Sequence, residues 1–256
     1  VAIMRLRGES FGLRRQDILP VILLGFGGHT LYQALFINGM ARTTPAIAAL
    51  LMATSPLFVV IYGTLLGLER PRRTVIVGIL LSFTGTLLLI VGGQSVRGAA
   101  GEPGLRRETL IGDLLTLLAA MMWAAYTLGG KPLLGRYSPL KLNALTMIPG
   151  TLLLALLSAP TLARQDWGAV SVSAWGAWAY SAIFAVVVAY VLWYTSVQRV
   201  GGARTAIYSN MTPVVATAVS WLAMGERLAA LQIIGAAVVI AGILLARRGR
   251  GGQTSR

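Results

Sequence analysis

Long apolar stretches alternate with short charged knots along this chain. Eight stretches reach the roughly 20 residues that a helix needs to cross a hydrocarbon core. They are 18–40, 45–68, 74–92, 110–130, 140–158, 175–197, 203–224 and 229–246, and none carries a carboxylate beyond its first turn. Strands usually run about 3–10 residues. These stretches are more than twice that length and lack the strict alternation of a barrel strand. The pattern predicts an all-α, polytopic membrane protein.

Composition sharpens the picture. Of 256 residues, 56% are hydrophobic and 12% charged, and there is no Cys. A soluble domain carries about 25% charged residues, so a soluble globular protein is excluded, as is a disulfide scaffold. The net charge of +14 would suit a nucleic-acid binder, but its placement argues otherwise. The loops between stretches alternate between two sides, and sixteen of the 22 basic residues fall on one of them. That bias predicts a cytoplasmic location for this side, which includes the basic tail 247–256. The partner it implies is the lipid bilayer, and no nucleic acid is expected.

Shifting the chain by 157 positions brings Pro56 onto Pro213, Glu69 onto Glu226, Arg70 onto Arg227, Gly78 onto Gly235 and Gly85 onto Gly242. Apolar residues coincide often by chance; Pro, Glu, Arg and two Gly held at one offset do not. The chain therefore reads as two repeats. Residues 1–92 hold three membrane helices, 93–108 form an extracytoplasmic linker, and 109–246 hold five. By this reading the first repeat lacks its opening two helices, eight of an expected ten are visible, and Val1–Met4 correspond to the end of the second. Five helices per unit would invert one unit relative to the other, an arrangement found in many secondary transporters.

The residues that carry this repeat resemble a known family. Gln33-Ala34-Leu35, Thr44-Pro45, Ser55-Pro56, Glu69-Arg70, Gly78 and Gly85 resemble the EamA type of the drug/metabolite transporter superfamily. So do Tyr190–Tyr194, Thr212-Pro213, Gly225-Glu226-Arg227, Gly235 and Gly242, and the opening of the second unit, Gly112-Asp113 with Trp123 and Tyr126. Leu68 departs from the pattern where the second unit has Gly225. The resemblance implies export of small metabolites across the inner membrane of a bacterium.

The candidate site residues are the polar and aromatic groups at mid-membrane depth: His29, Tyr32 and Gln33, then Trp123 and Tyr126, then Tyr190 and Tyr194, and Asn210 before the second Pro. Such groups are costly in lipid and tend to face a cavity or the bundle interior. His29 and Gln33, four apart, are expected to share a helix face. Pro56 and Pro213 are expected to kink the helices that contain them. Glu69 and Glu226 are expected to be structural turns that cap the helix that follows. Asp113 is expected to cap its own helix. No carboxylate lies at mid-membrane, so His29 is the one group suited to proton linkage.

Metal-binding, nucleophile and phosphate-loop motifs are absent, so no cofactor, metal or catalytic residue is expected. The function read from the sequence is a carrier for amino acids, aromatic ones included, or amphipathic amines. It would work by alternating access as a monomer or homodimer. A non-transporting membrane scaffold or an inactive truncated fragment is the alternative.

Overall fold

The computed structural model describes residues 12–97, 107–224 and 228–248. Glu226 lies outside these residues, as do 98–106 of the linker and 249–256 of the tail. The described elements are helical throughout.

We number the α-helices α1 (Ile18–Gly25), α2 (Tyr32–Met40), α3 (Pro45–Met52), α4 (Ser55–Leu65), α5 (Arg73–Arg97), α6 (Arg107–Gly129), α7 (Pro139–Arg164), α8 (Val172–Tyr180), α9 (Ala189–Val200), α10 (Gly202–Ile207), α11 (Met211–Met224) and α12 (Ala230–Arg248). π-Helical segments, Phe26–Leu31 and Ser181–Val188, join α1 to α2 and α8 to α9. A 3₁₀ turn, Tyr208–Asn210, joins α10 to α11. Among the described residues, seven helical spans are long and apolar enough to cross a membrane. The eighth expected crossing, 203–224, falls on α10, the 3₁₀ turn and α11. Arg204, Thr205, Ser209, Asn210 and Thr212 dilute its apolar character.

Local sequence fixes where several helices begin. Thr44, Ser138 and Ser171 each accept a hydrogen bond from a backbone N–H three residues on, at Ile47, Lys141 and Ala174. Pro45 and Pro139 follow the first two of these caps, where a missing N–H costs nothing.

The two prolines singled out above sit differently from expectation. Ala53 and Thr54 form a turn between α3 and α4, and Pro56 lies in the first turn of α4. Pro213 is the third residue of α11, directly after the 3₁₀ turn. Neither sits at mid-helix. Each starts a new helical segment within a broken span, because the first-turn N–H groups have no carbonyl to meet. The prolines that do lie inside a helix are Pro149 and Pro160, in α7.

Helix features recur at the 157-residue offset. α3 starts at 45 and α10 at 202, and α5 starts at 73 and α12 at 230. The π segment at 26–31 maps within the one at 181–188.

α5 and α12 pack antiparallel along a glycine seam. A Cβ on Gly78 would lie 2.5 Å from the Gly242 carbonyl oxygen, and one on Gly85 would lie 2.6 Å from the Val239 nitrogen and 2.7 Å from the Gly235 oxygen. Only residues without a side chain let the backbones come this close. One buried cluster, with Val59, Ile79, Leu128, Ile207 and Val239, joins this seam to α4, α6 and α10. A second, with Val21, Tyr126, Leu142, Tyr190 and Tyr194, joins α1, α6, α7 and α9. The candidate site belongs to the second.

Candidate functional site

Three spans converge on an aromatic cluster. His29 comes from the first π segment, Tyr32 from α2, Trp123 and Tyr126 from α6, and Tyr190, Trp193 and Tyr194 from α9. The His29 ring stacks on Tyr190 at 5.2 Å and meets Tyr126 edge-on at 5.0 Å. Trp123 lies 5.2 Å from Tyr32, 5.3 Å from Tyr190 and 5.0 Å from Trp193. Tyr126 and Tyr194 are 5.0 Å apart. Rings at these separations gain about 0.5–1.5 kcal/mol per pair beyond burial.

Glycines make room for the rings. A Cβ on Gly28 would lie 2.0 Å from the Tyr126 ring, and one on Gly130 would lie 2.5 Å from the Tyr194 ring. Any side chain at either position displaces an aromatic residue of the cluster.

A polar wall comes from α7, which the sequence reading did not select. His29 Nε2 lies 3.3 Å from Thr146 Oγ1, and the Thr146 hydroxyl also faces the Leu142 and Asn143 carbonyls. Asn143 and Thr146 are one helical turn apart, a spacing visible in the stretch 140–158. On the opposite wall, Trp193 Nε1 donates to Thr127 Oγ1 at 3.1 Å. Among the described residues, Tyr126 Oη, Asn143 Oδ1 and, away from the rings, Asn210 Oδ1 are buried without a well-formed hydrogen bond; Tyr126 Oη faces the Tyr194 and Thr146 hydroxyls. Leaving such a group unpaired costs about 1–3 kcal/mol, which a bound molecule carrying a donor would recover.

Gln33 is half-buried, as Tyr32 is, and no hydrogen bond among the described residues ties it to the rings; Asn210 is placed elsewhere. Asn210 is fully buried, but its Nδ2 donates to Ser82 Oγ on α5 at 2.7 Å, pinning the α10–α11 junction to the glycine seam.

Glu69 caps a helix, though not the one that follows it. Its Oε1 and Oε2 accept from the Gly202 and Ala203 N–H groups at 2.5 and 2.9 Å, so the helix it caps is α10. Lys131 Nζ donates to Glu69 Oε1 at 2.8 Å and to the Leu68 carbonyl at 2.7 Å. Folding thus brings Lys131, 62 positions along the chain, to the carboxylate. Gly201, at φ +89°, makes the tight entry into α10. Asp113 also departs from expectation. α6 begins at Arg107, which puts Asp113 in its second turn, and Asp113 Oδ1 accepts from Thr43 Oγ1 at 2.5 Å. Asp17, buried, pairs with Arg136 and accepts from Tyr137 Oη at 2.7 Å.

A cavity of about 700 Å³ opens at the arginine-rich end of the bundle, lined by Glu69, Arg70, Arg72, Lys131, Arg199 and Arg204 among others.

The profile of the EamA-like transporter family matches residues 1–91 and 110–248. The chain belongs to the EamA-like transporter family. Among its relatives is the uncharacterized transporter YyaM of Bacillus subtilis (strain 168), 29% identical over 91% of this chain and 74% of that one. Another is a probable terminal-alkyne amino-acid exporter of Streptantibioticus cattleyicolor, 28% identical over 92% of this chain and 75% of that protein. A crystal structure at 24% identity superposes with a TM-score of 0.79, covering 96% of this chain and 82% of the other, so the chain shares the fold of a solved structure.

Proposed function

We propose that this EamA-like transporter moves amino acids, aromatic ones included, or amphipathic amines out of a bacterial cell across its inner membrane. In this reading the arginine-rich end and the C-terminus face the cytoplasm, as the charge bias favours. The aromatic cluster is the substrate site, with His29, Tyr32, Trp123, Tyr126, Tyr190 and Tyr194 around the substrate. Flat rings with polar edges suit an aromatic side chain, and their faces suit an ammonium group.

The observation that carries this is the meeting of seven rings from three spans with two buried oxygens that lack a well-formed hydrogen bond, Tyr126 Oη in the cluster and Asn143 Oδ1 one turn from Thr146. Asn143 Oδ1 accepts only, so it calls for a donor such as an amine. The amino-acid exporter among the relatives points the same way.

Alternating access is supported by the repeat. We take the two units to be five-helix repeats of opposite topology, with α5 and α12 as equivalent helices. Their antiparallel packing across paired glycines suits such an arrangement, and the broken spans at Pro56 and Pro213 supply points where the units can flex.

The test is flux through the full-length protein in membrane vesicles, using a labelled panel of amino acids and amines. Saturable efflux of at least one panel member is expected. Absence of substrate-dependent flux for every member would favour a scaffold.

A further inference from the structure

We propose that Glu69, held by Lys131 and by α10, is the gate that closes the arginine-rich end of the substrate path, and that the transport cycle breaks and remakes this contact. The inference rests on the carrier reading above.

Glu69 draws together three segments that are distant in sequence. It lies in the connection after α4, Lys131 in the connection after α6, and Gly202 and Ala203 at the start of α10. Four hydrogen bonds join them, all at 2.5–2.9 Å. The Glu69 side chain is 9% exposed and that of Lys131 32%. Both carboxylate oxygens are engaged. The contact crosses between the two repeats, since Glu69 belongs to the first and Lys131, Gly202 and Ala203 to the second. Any rocking of one repeat against the other strains it.

Its position is that of a floor. On one side lies the 700 Å³ cavity, whose lining includes Glu69, Lys131, Gly201 and Ala203. On the other lies a thin apolar layer. A Cβ on Gly202 would meet Leu128 at 3.0 Å and Val59 at 3.4 Å. Gly130, next to Lys131, packs on Tyr194, which belongs to the aromatic cluster. From cavity to site, the barrier is therefore the Glu69 contact and one layer of side chains.

The other buried ion pair at this end, Asp17 with Arg136, differs in what lies behind it. It ties α1 to the start of α7, helices whose backbones already touch. A Cβ on Gly25 would lie 2.4 Å from the Thr146 carbonyl oxygen, and one on Gly150 would lie 2.5 Å from that of Gly25. That pair fastens helices packed along their length, whereas the Glu69 contact borders open space.

The chain has no Cys, so Leu128→Cys would give one thiol beneath the gate. Its labelling by a membrane-impermeant maleimide is measured in inside-out vesicles of the full-length protein. In the L128C background, both Glu69→Ala and Lys131→Met are expected to raise the labelling rate about tenfold by shifting the population towards the open state. Asp17→Asn is expected to leave the rate unchanged. Unchanged labelling in both gate variants would overturn the proposal. An equal rise in the Asp17 variant would also overturn it, by showing general loosening. So would misfolding of the Glu69 variant together with normal labelling of the Lys131 variant, which would make Glu69 a structural cap only. The labelling needs no substrate, so a carrier that fails the flux panel still reports on the gate.

Discussion

Residues 18–31 and 175–188 occupy the same place in the two repeats, and both end in a π-helical segment. Their surroundings are opposite. In the first, Val21, Gly25, Gly28, His29 and Thr30 are buried, and Thr30 donates to the Gly150 carbonyl of α7 at 2.7 Å. In the second, no residue from 172 to 188 is buried, and Trp178 and Tyr180 are largely exposed. Both are apolar, so hydrophobicity does not separate them. In lipid there is little hydrophobic gain when two helices meet, and close approach of backbones decides packing. The first span has Gly25 and Gly28 where the second has Ala182 and Ala185, and His29 and Thr30 where the second has Val186 and Val187. Two missing methyl groups and two polar side chains turn one copy of the segment into a wall of the site. The other copy is exposed among the described residues; positions that would match α7 at the 157-residue offset fall before residue 12, outside those residues, so its packing partner is not among them.

That comparison can be broken at graded cost. Gly28→Leu is expected to be the most severe change, because its side chain must occupy the Tyr126 ring. Overpacking of about 1–3 kcal/mol predicts a drop of roughly 5–10 °C in the detergent melting temperature, with flux abolished. Thr146→Val removes the hydroxyl beside His29. A loss of about 1–1.5 kcal/mol at the site predicts a roughly tenfold fall in flux efficiency, with stability nearly retained. Ser82→Ala leaves the fully buried Asn210 amide without its acceptor and is expected to cost about 1–3 kcal/mol of stability, read as a lower melting temperature.

Much of this fold was legible in the linear chain. The spans followed from run length, and Gly78, Gly85, Gly235 and Gly242, picked out by the 157-residue offset, meet in the seam between α5 and α12. Membrane spanning forces long helices, so the pattern has few alternative structures. The aromatic residues also announced themselves, because polar-edged rings are uncommon at that depth, and six of the eight named site residues meet in one cluster. What was not legible depends on tertiary register. The π segment Phe26–Leu31 that sets His29 among the rings has no signal in its sequence beforehand. Asn210 found Ser82, 128 positions away in the chain. The carboxylate of Glu69 reached α10 rather than α5, a choice made by how α4 and α9 end beside each other. Thr146 and Asn143 carried a readable signal, two polar residues one turn apart within a membrane span, that was passed over because neither is aromatic.

The most direct test of the substrate site is counterflow of labelled aromatic amino acids and amines in proteoliposomes, comparing the unaltered protein with Tyr126→Phe and Asn143→Ala. The account predicts saturable counterflow by the unaltered protein. Each variant, having lost one of these buried oxygen atoms beside the rings, should show a concentration for half-maximal flux raised about tenfold, while its melting temperature is held or increased. Unchanged half-maximal concentrations in both variants, for every substrate that the protein carries, would contradict it.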